Sequence, residues 1–205
     1  MKSDKRNQQT EQLLIASFID LIKEKNFNDI GVTDITRLAG VNRGTFYIHF
    51  SDKFDLLHKI ERELLEKLQE ALNSVIPTAI EQLKNDSFEI LPYKLVIKTL
   101  NQIYNDRDIV AALLSSNGDP LFVNKLKDLF RKEIRVEFSQ IKDSVFYDEV
   151  IPQDYIEEMI LNNLMSIVIH WLTKEHPEQP EEVAKIILRY REVSPDELIR
   201  IKKEE

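Results

Sequence analysis

The stretch that decides the fold runs from Gly40 to Phe50 and reads GVNRGTFYIHF. It contains two glycines, three aromatic residues and a histidine within eleven positions. On a helix with about 100° between successive residues, Phe46 and Phe50 share one face, and Ile48 lies on the opposite face. The pattern predicts a short helix that is anchored by its two phenylalanines and turns Ile48 outward.

Helix start and stop signals surround this stretch on both sides. Gly31 is expected to cap a short helix that Gly40 ends, and Asn42 is expected to cap the next one. Two short helices joined by a glycine-containing turn have the sequence form of a helix-turn-helix. The predicted helices lie at about 8–25, 32–39, 43–50, 52–75, 77–85, 90–105, 107–116, 119–142, 153–175 and 180–191, with a short capped piece after Ser194.

Composition is typical of an all-α protein. The chain of 205 residues is 42% hydrophobic and 31% charged, with four glycines and no cysteine. No segment alternates with a period of two, so no strand is predicted. Without cysteine there is no disulfide and no thiolate metal site. No apolar run of about 18 residues and no secretory signal are present, so we expect a cytoplasmic protein without a membrane partner.

Charge is distributed unevenly along the chain. The net charge is −8, whereas residues 1–60 contain nine Lys and Arg against eight Asp and Glu and are therefore close to neutral, at +1. The remainder must carry −9. A near-neutral N-terminal segment can bind DNA if its few cations are well placed, because the total charge sets only the non-specific attraction.

The outward face of the predicted helix at 43–50 suits a DNA major groove. Gly44 and Thr45 are small enough for close approach, and Thr45 and Ile48 can contact thymine methyl groups. Tyr47 and His49 flank this face and can reach phosphates on the two groove walls. Donors at either end of the helix can reach base edges or phosphates. The DNA-binding residues predicted in this way are Asn42, Arg43, Gly44, Thr45, Tyr47, Ile48, His49 and Lys53.

Residues from about 8 to 57 resemble the DNA-binding domain of the TetR family of bacterial transcriptional regulators. The matching run is DITRLAGVNRGTFYIHFSDKFDLL, from Asp34 to Leu57. The resemblance implies an all-α homodimer, most often a repressor, and adds Thr33 to the DNA-binding residues. It also implies a three-helix helix-turn-helix domain at 1–52 and a helical dimerisation and effector domain at 53–205. The long helix at 52–75 would connect the two.

The segment MILNNLMSIVIHWL, residues 159–172, is apolar around most of a helix. Such a helix needs cover on two sides, which a second subunit or the same subunit can supply. The resemblance implies that this helix and the next one form a four-helix dimer interface. A two-fold dimer would read a near-palindromic operator. The predicted interface residues are Ile160, Leu164, Ile167, Val168, Trp171, Val183 and Ile187.

Some residues of the C-terminal helices are candidates for an effector pocket. Several polar or amphipathic residues in otherwise apolar helices could line one, or could be satisfied core residues. The ligand remains unknown, and control by a protein coactivator instead of a small molecule stays open as an alternative. The candidate pocket residues are Tyr93, Asn101, Tyr104, Asn162, Asn163, His170 and Trp171.

Motifs for catalysis are absent from the sequence. The four histidines form no close ligand pair, and no nucleophile elbow, phosphate-binding loop or dinucleotide fingerprint is present. We therefore expect no enzyme activity, no catalytic residue, no metal and no cofactor.

Overall fold

A computed structural model describes residues 2–76, 93–139 and 150–192 of the chain. These ranges contain helices and connecting turns, with no strand among them. No helix within them is long and apolar enough to cross a lipid bilayer. The helices among the described residues are α1 (Lys2–Glu24), α2 (Val32–Ala39), α3 (Arg43–His49), α4 (Lys53–Asn73), α5 (Tyr93–Asn105), α6 (Arg107–Leu114), α7 (Phe122–Ser139), α8 (Gln153–Leu172) and α9 (Pro180–Glu192), and a 3-10 turn is formed by Phe27–Asp29.

The predicted all-α class is confirmed, and the helix ends around the turn follow local signals. Gly40 ends α2 with φ 67°, a left-handed conformation that glycine adopts without strain. Asp52 caps α4, because its Oδ1 accepts from the backbone N–H groups of Phe54 and Asp55. Asn42 occupies the N-cap position of α3, but its side chain makes no capping hydrogen bond. The predicted helix at 77–85 and the piece after Ser194 lie outside the described residues.

The chain divides into two compact units. The first comprises the described parts of Met1–Gln69 and Asp106–Leu129, and the second comprises those of Glu70–Asn105 and Phe130–Glu205. All the predicted DNA-binding residues therefore belong to the first unit, which also includes α6 and the start of α7.

In the first unit, α1 packs against α2 and α6, and α2 packs against α3. The turn after α6 is joined to the 3-10 turn by a hydrogen bond of 2.8 Å from the Phe27 N–H to the Asn117 carbonyl. A Cβ at Gly118 would lie 2.3 Å from the Leu113 carbonyl oxygen, so only glycine fits this turn. The core of this unit includes Leu14, Phe18, Ile22, Ile35, Phe46, Phe50, Leu56, Val110 and Leu113.

An ionic cluster lies in the first unit, around the buried carboxylate of Glu61. Lys125 on α7 donates to Glu61 on α4 at 2.6 Å and to Asp119 at 2.9 Å. The Glu61 side chain is only 3% exposed, and its second carboxylate oxygen accepts no hydrogen bond from the described residues. Burial raises the pKa of Glu61, although the bond from Lys125 opposes that shift.

In the second unit, α9 packs against α5 and α8. The Trp171 ring stacks on Tyr104 at 5.7 Å, and its Nε1–H donates to the Glu178 carbonyl at 2.8 Å. These contacts are made within one chain, and they bear on the predicted dimer interface. Four of its seven residues, Val168, Trp171, Val183 and Ile187, are buried in this unit without any partner subunit. Their own chain covers them, so only Ile160, Leu164 and Ile167 of the predicted set remain accessible to a partner.

Candidate nucleic-acid interface

The helix α3 is held in place through its two phenylalanines. Phe46 is fully buried and Phe50 nearly so, and their rings lie 5.6 Å apart. The Asn42 carbonyl accepts from the N–H groups of Thr45 and Phe46, which starts the helix without help from the Asn42 side chain. The turn before it is closed by a 3.0 Å hydrogen bond from the Val41 N–H to the Thr36 carbonyl. The inward face is therefore the one that the sequence predicts.

The opposite face of α3 is open. Ile48 is 76% exposed, which is high for a large aliphatic side chain. Gly44 is exposed, and a Cβ added there would meet no atom within 4 Å. Thr45 is half-buried. This face is thus slim at its N-terminal end and apolar in its middle, a shape that can enter a major groove.

Arg43 and Tyr47 form a pair on one flank of that face. Arg43 donates to the Tyr47 hydroxyl from Nε at 3.3 Å and from Nη2 at 3.0 Å. The Tyr47 ring meets the buried Phe46 ring edge to face, at 5.6 Å and 87°. The two predicted contact residues are therefore joined to each other in the DNA-free protein.

His49 lies on the other flank and faces inward more than the helical wheel indicates. Its side chain is 8% exposed, and its Nδ1 lies 3.8 Å from a carboxylate oxygen of Glu11 on α1. The other oxygen of Glu11 is 2.9 Å from the Lys59 Nζ on α4. Glu11 thus lies between His49, the last residue of α3, and Lys59 on α4. The sequence analysis did not predict this position for Glu11. No local signal indicates it, because the contact joins residues far apart in the chain.

Lys53, a predicted phosphate contact, is bonded to the backbone of its own chain. Its Nζ donates at 2.9 Å to the carbonyls of both Phe27 and Asn28. It also lies 4.6 Å from the centre of the Phe27 ring, a cation–π contact. Burial lowers the pKa of the Lys53 ammonium, and its three N–H donors leave one beyond the two carbonyl bonds. A phosphate contact would use that third donor.

The remaining predicted residues occupy the edges of this surface. Thr33 is exposed in the first turn of α2, and its carbonyl accepts from the Thr36 hydroxyl at 3.3 Å. Asn42 is exposed at the N-terminal end of α3. Within the described ranges, no group of three or more His, Cys, Asp or Glu side chains could hold a metal ion.

Comparison with solved structures supports the fold. A TetR transcriptional regulator from Streptococcus agalactiae matches with a TM-score of 0.61 and 22% identity, covering 93% of this chain and 97% of that one. A transcriptional regulator from Aquifex aeolicus matches with a TM-score of 0.62 and 20% identity, covering 89% and 98%. The dihydroxyacetone kinase operon activator DhaS matches with a TM-score of 0.51 and 18% identity, covering 88% and 93%.

Similar sequences also include regulators of Bacillus subtilis. The uncharacterized HTH-type transcriptional regulator YxbF is 23% identical over 192 residues, which is 93% of this chain and 46% of YxbF. The uncharacterized HTH-type regulator YvdT is 40% identical over 55 residues, which is 27% of this chain and 28% of YvdT. The chain spans less than half the length of the curated relatives that it matches.

Two family profiles match along the chain. One describes bacterial regulatory proteins of the tetR family and matches residues 14–60, which include all of α2 and α3. The other describes a transcriptional regulator C-terminal region and matches residues 92–192. With the helix-turn-helix geometry and the two profiles in agreement, the chain belongs to the TetR family of DNA-binding bacterial transcriptional regulators.

Proposed function

We propose that this protein is a homodimeric repressor that binds a near-palindromic operator and leaves it when a small-molecule effector binds. The observation that carries the proposal is the outward face of α3, where Ile48 is 76% exposed above the buried Phe46. A cytoplasmic location and a DNA-binding role for residues 1–52 belong to the same proposal. Its DNA contacts are Thr33, Asn42, Arg43, Gly44, Thr45, Tyr47, Ile48, His49 and Lys53.

Selection from a pool of random double-stranded DNA, at one stated salt concentration, tests the DNA-binding part. We expect enrichment of two related half-sites in inverted orientation, because each subunit of a two-fold dimer presents one α3. The centres of the half-sites should be about 34 Å apart or somewhat more, which is the spacing of successive major grooves on one side of the duplex. A pool that stays random after repeated rounds would contradict sequence-specific binding.

The dimer part rests on apolar side chains that the chain leaves uncovered on α8 and α9. Met159 is 56% exposed, Ile160 48% and Ile186 49%. Leu164 and Ile167 are half-buried on α8 and complete the accessible predicted residues. Exposed apolar groups on two helices that already pack together give a surface that a second copy can cover.

Light scattering during gel filtration tests the dimer directly. We expect a mass of two chains for the wild type and a shift toward one chain for Ile160→Glu, since an interface disfavours an unpaired charge. Leu121→Glu is the matched control, because Leu121 is also exposed and apolar but belongs to the first unit. A monomeric wild type would contradict the homodimer, and equal shifts in both variants would contradict the placement of its interface on α8.

The repressor and effector parts need separate experiments. DhaS, which has a similar fold, is an operon activator, so this fold is compatible with activation as well. A reporter gene placed behind the selected operator should fall in expression when the protein is present. A rise in expression would contradict repression and favour the activator alternative.

A small-molecule effector competes with a protein coactivator as the controlling partner. Within the described part of the chain, the candidate pocket residues lie in different surroundings: Trp171 is packed on Tyr104, whereas Asn162, Asn163 and His170 are exposed on α8. A surface groove of about 360 Å³ in the second unit includes Asn101, together with Lys94 and Lys98.

Thermal-shift screening of a metabolite library separates the two kinds of control. A ligand that binds only the folded protein raises its melting temperature, and the same ligand should release operator DNA. If no compound shifts the melting temperature while a co-purifying protein changes operator affinity, the coactivator alternative is the correct one.

A further inference from the structure

Arg43 is fixed in direction by a chain of contacts that begins in the core. Phe46 is fully buried, and its ring packs edge to face against the Tyr47 ring. The Tyr47 hydroxyl accepts two N–H groups of Arg43, one helical turn away. The Arg43 guanidinium carbon lies 5.6 Å from the centre of the Tyr47 ring. An exposed arginine at the first position of α3 is therefore held by a specific partner.

The chemistry of these bonds determines which donors remain. A guanidinium carries five N–H donors in a planar fork, and Tyr47 occupies the edge formed by Nε and Nη2. The terminal edge, formed by Nη1 and the second hydrogen of Nη2, has no partner among the described residues. Two parallel donors on that edge match the O6 and N7 acceptors of guanine in the major groove.

We propose that Arg43 reads a guanine through this terminal edge and that Tyr47 is the residue that positions it. The inference rests on the proposed function and extends it to a base preference and to a role for the Tyr47 hydroxyl. In helix-turn-helix proteins the N-terminal residues of the second helix contact base edges, and Arg43 is the first residue of α3. Tyr47 keeps its own O–H proton, which can donate to a phosphate while its lone pairs hold Arg43.

Orientation is what makes this arrangement selective for a base. A phosphate accepts an arginine from many directions, whereas bidentate recognition of guanine requires the fork to lie in the plane of the base. A long side chain that is already oriented loses less rotational freedom on binding. The bonds from Nε and Nη2 constrain the plane of the guanidinium, so the pairing with Tyr47 favours base recognition over backbone contact.

The test is selection of bound sequences with four variants of the full chain: Arg43→Ala, Tyr47→Phe, the double variant, and Tyr155→Phe as a matched control. Tyr155 is 63% exposed on α8, in the other unit. Tyr47→Phe keeps the ring on Phe46 and removes only the hydroxyl. Thermal melts establish that each variant is folded, and affinities are then measured on the wild-type site and on sites changed at single positions.

We expect the wild type to prefer guanine at one position of each half-site by about 5- to 150-fold, the range of one good bidentate contact. Arg43→Ala should abolish that preference. Tyr47→Phe should weaken it at the same position, and in the Arg43→Ala background it should not alter the preference further. Tyr155→Phe should leave all preferences unchanged.

Three results would overturn this inference. If Tyr47→Phe lowers the affinity for every sequence by one factor and leaves the guanine preference intact, the hydroxyl only contacts the backbone. If Arg43→Ala changes no base preference in a site that the wild type does select, Arg43 is not a base reader, and the proposed function is unaffected. If the wild type selects no sequence at all, the proposed function fails, and this inference fails with it.

Discussion

Replacing Ile48 by alanine should separate DNA binding from stability, because the side chain is mostly exposed. Full burial of an isoleucine side chain is worth about 1.5–3 kcal/mol. Ile48 is 76% exposed, so about three quarters of that range, roughly 1–2 kcal/mol, remains available for contact with bases. Alanine retains only the Cβ, and operator affinity should therefore fall about 5- to 30-fold for each recognition helix.

The stability of the protein should barely respond to the same change. Truncation of a mostly exposed side chain alters the free energy of unfolding by no more than about 0.5 kcal/mol. Fluorescence anisotropy with the selected operator at constant salt measures binding, and urea denaturation measures stability. Leu121→Ala is the matched control, because Leu121 is 61% exposed in the same unit but lies outside α3. It should change neither quantity.

Two outcomes would refute this reasoning. If the operator affinity of Ile48→Ala is within twofold of that of the wild type, Ile48 on the outward face of α3 does not contact bases. If the variant loses more than about 1 kcal/mol of unfolding free energy, the Ile48 side chain is covered in solution.

Three further changes test the contacts that support the site. Phe46→Ala should lower the free energy of unfolding by about 3–5 kcal/mol, because the ring is fully buried, and a loss below about 1 kcal/mol in urea denaturation would contradict that. Burial raises the pKa of Glu61 above its usual 4.5, so its stabilising contribution is complete below that value and is lost as the pH rises through the raised pKa. Glu61→Gln cannot lose a proton, so the free energy of unfolding of this variant should rise relative to that of the wild type as the pH increases across that window. If the difference between the two free energies stays constant from about pH 4.5 to 8, the prediction is wrong. Lys53→Met should lower the free energy of unfolding by about 1–3 kcal/mol, because two carbonyls lose a charged donor, whereas Lys23→Met, which breaks only an exposed ion pair, should change it by no more than about 0.5 kcal/mol.

Sequence alone predicts the part of the fold that local signals control. The bounds of α2 agree with the prediction because Gly31 and Gly40 mark its ends, and α3 begins at Arg43, directly after Asn42. The inward and outward faces of α3 also follow from the helical period, since Phe46 and Ile48 lie almost opposite each other.

Contacts that depend on tertiary packing could not be predicted from the sequence. α8 is apolar around most of its circumference, so its period does not indicate which side meets a partner and which meets its own chain. The structure places Trp171 against Tyr104 and buries Val168, both of which the sequence assigned to a dimer interface. The contact between His49 and Glu11 is of the same kind, because it joins α3 to a helix nearly forty residues earlier.

The arginine and the lysine of the proposed DNA-binding surface are already engaged within the protein. Arg43 is held by Tyr47, and Lys53 by the carbonyls of Phe27 and Asn28. These bonds leave three of five donors on the arginine and one of three on the lysine. Because ordering a long side chain on binding costs about 0.5–1.5 kcal/mol, donors that are already oriented make a short helix of seven residues a more effective reader. The same bonds link the proposed base recognition to the packing of Phe46, so we expect that a change in the core can alter sequence preference without touching DNA.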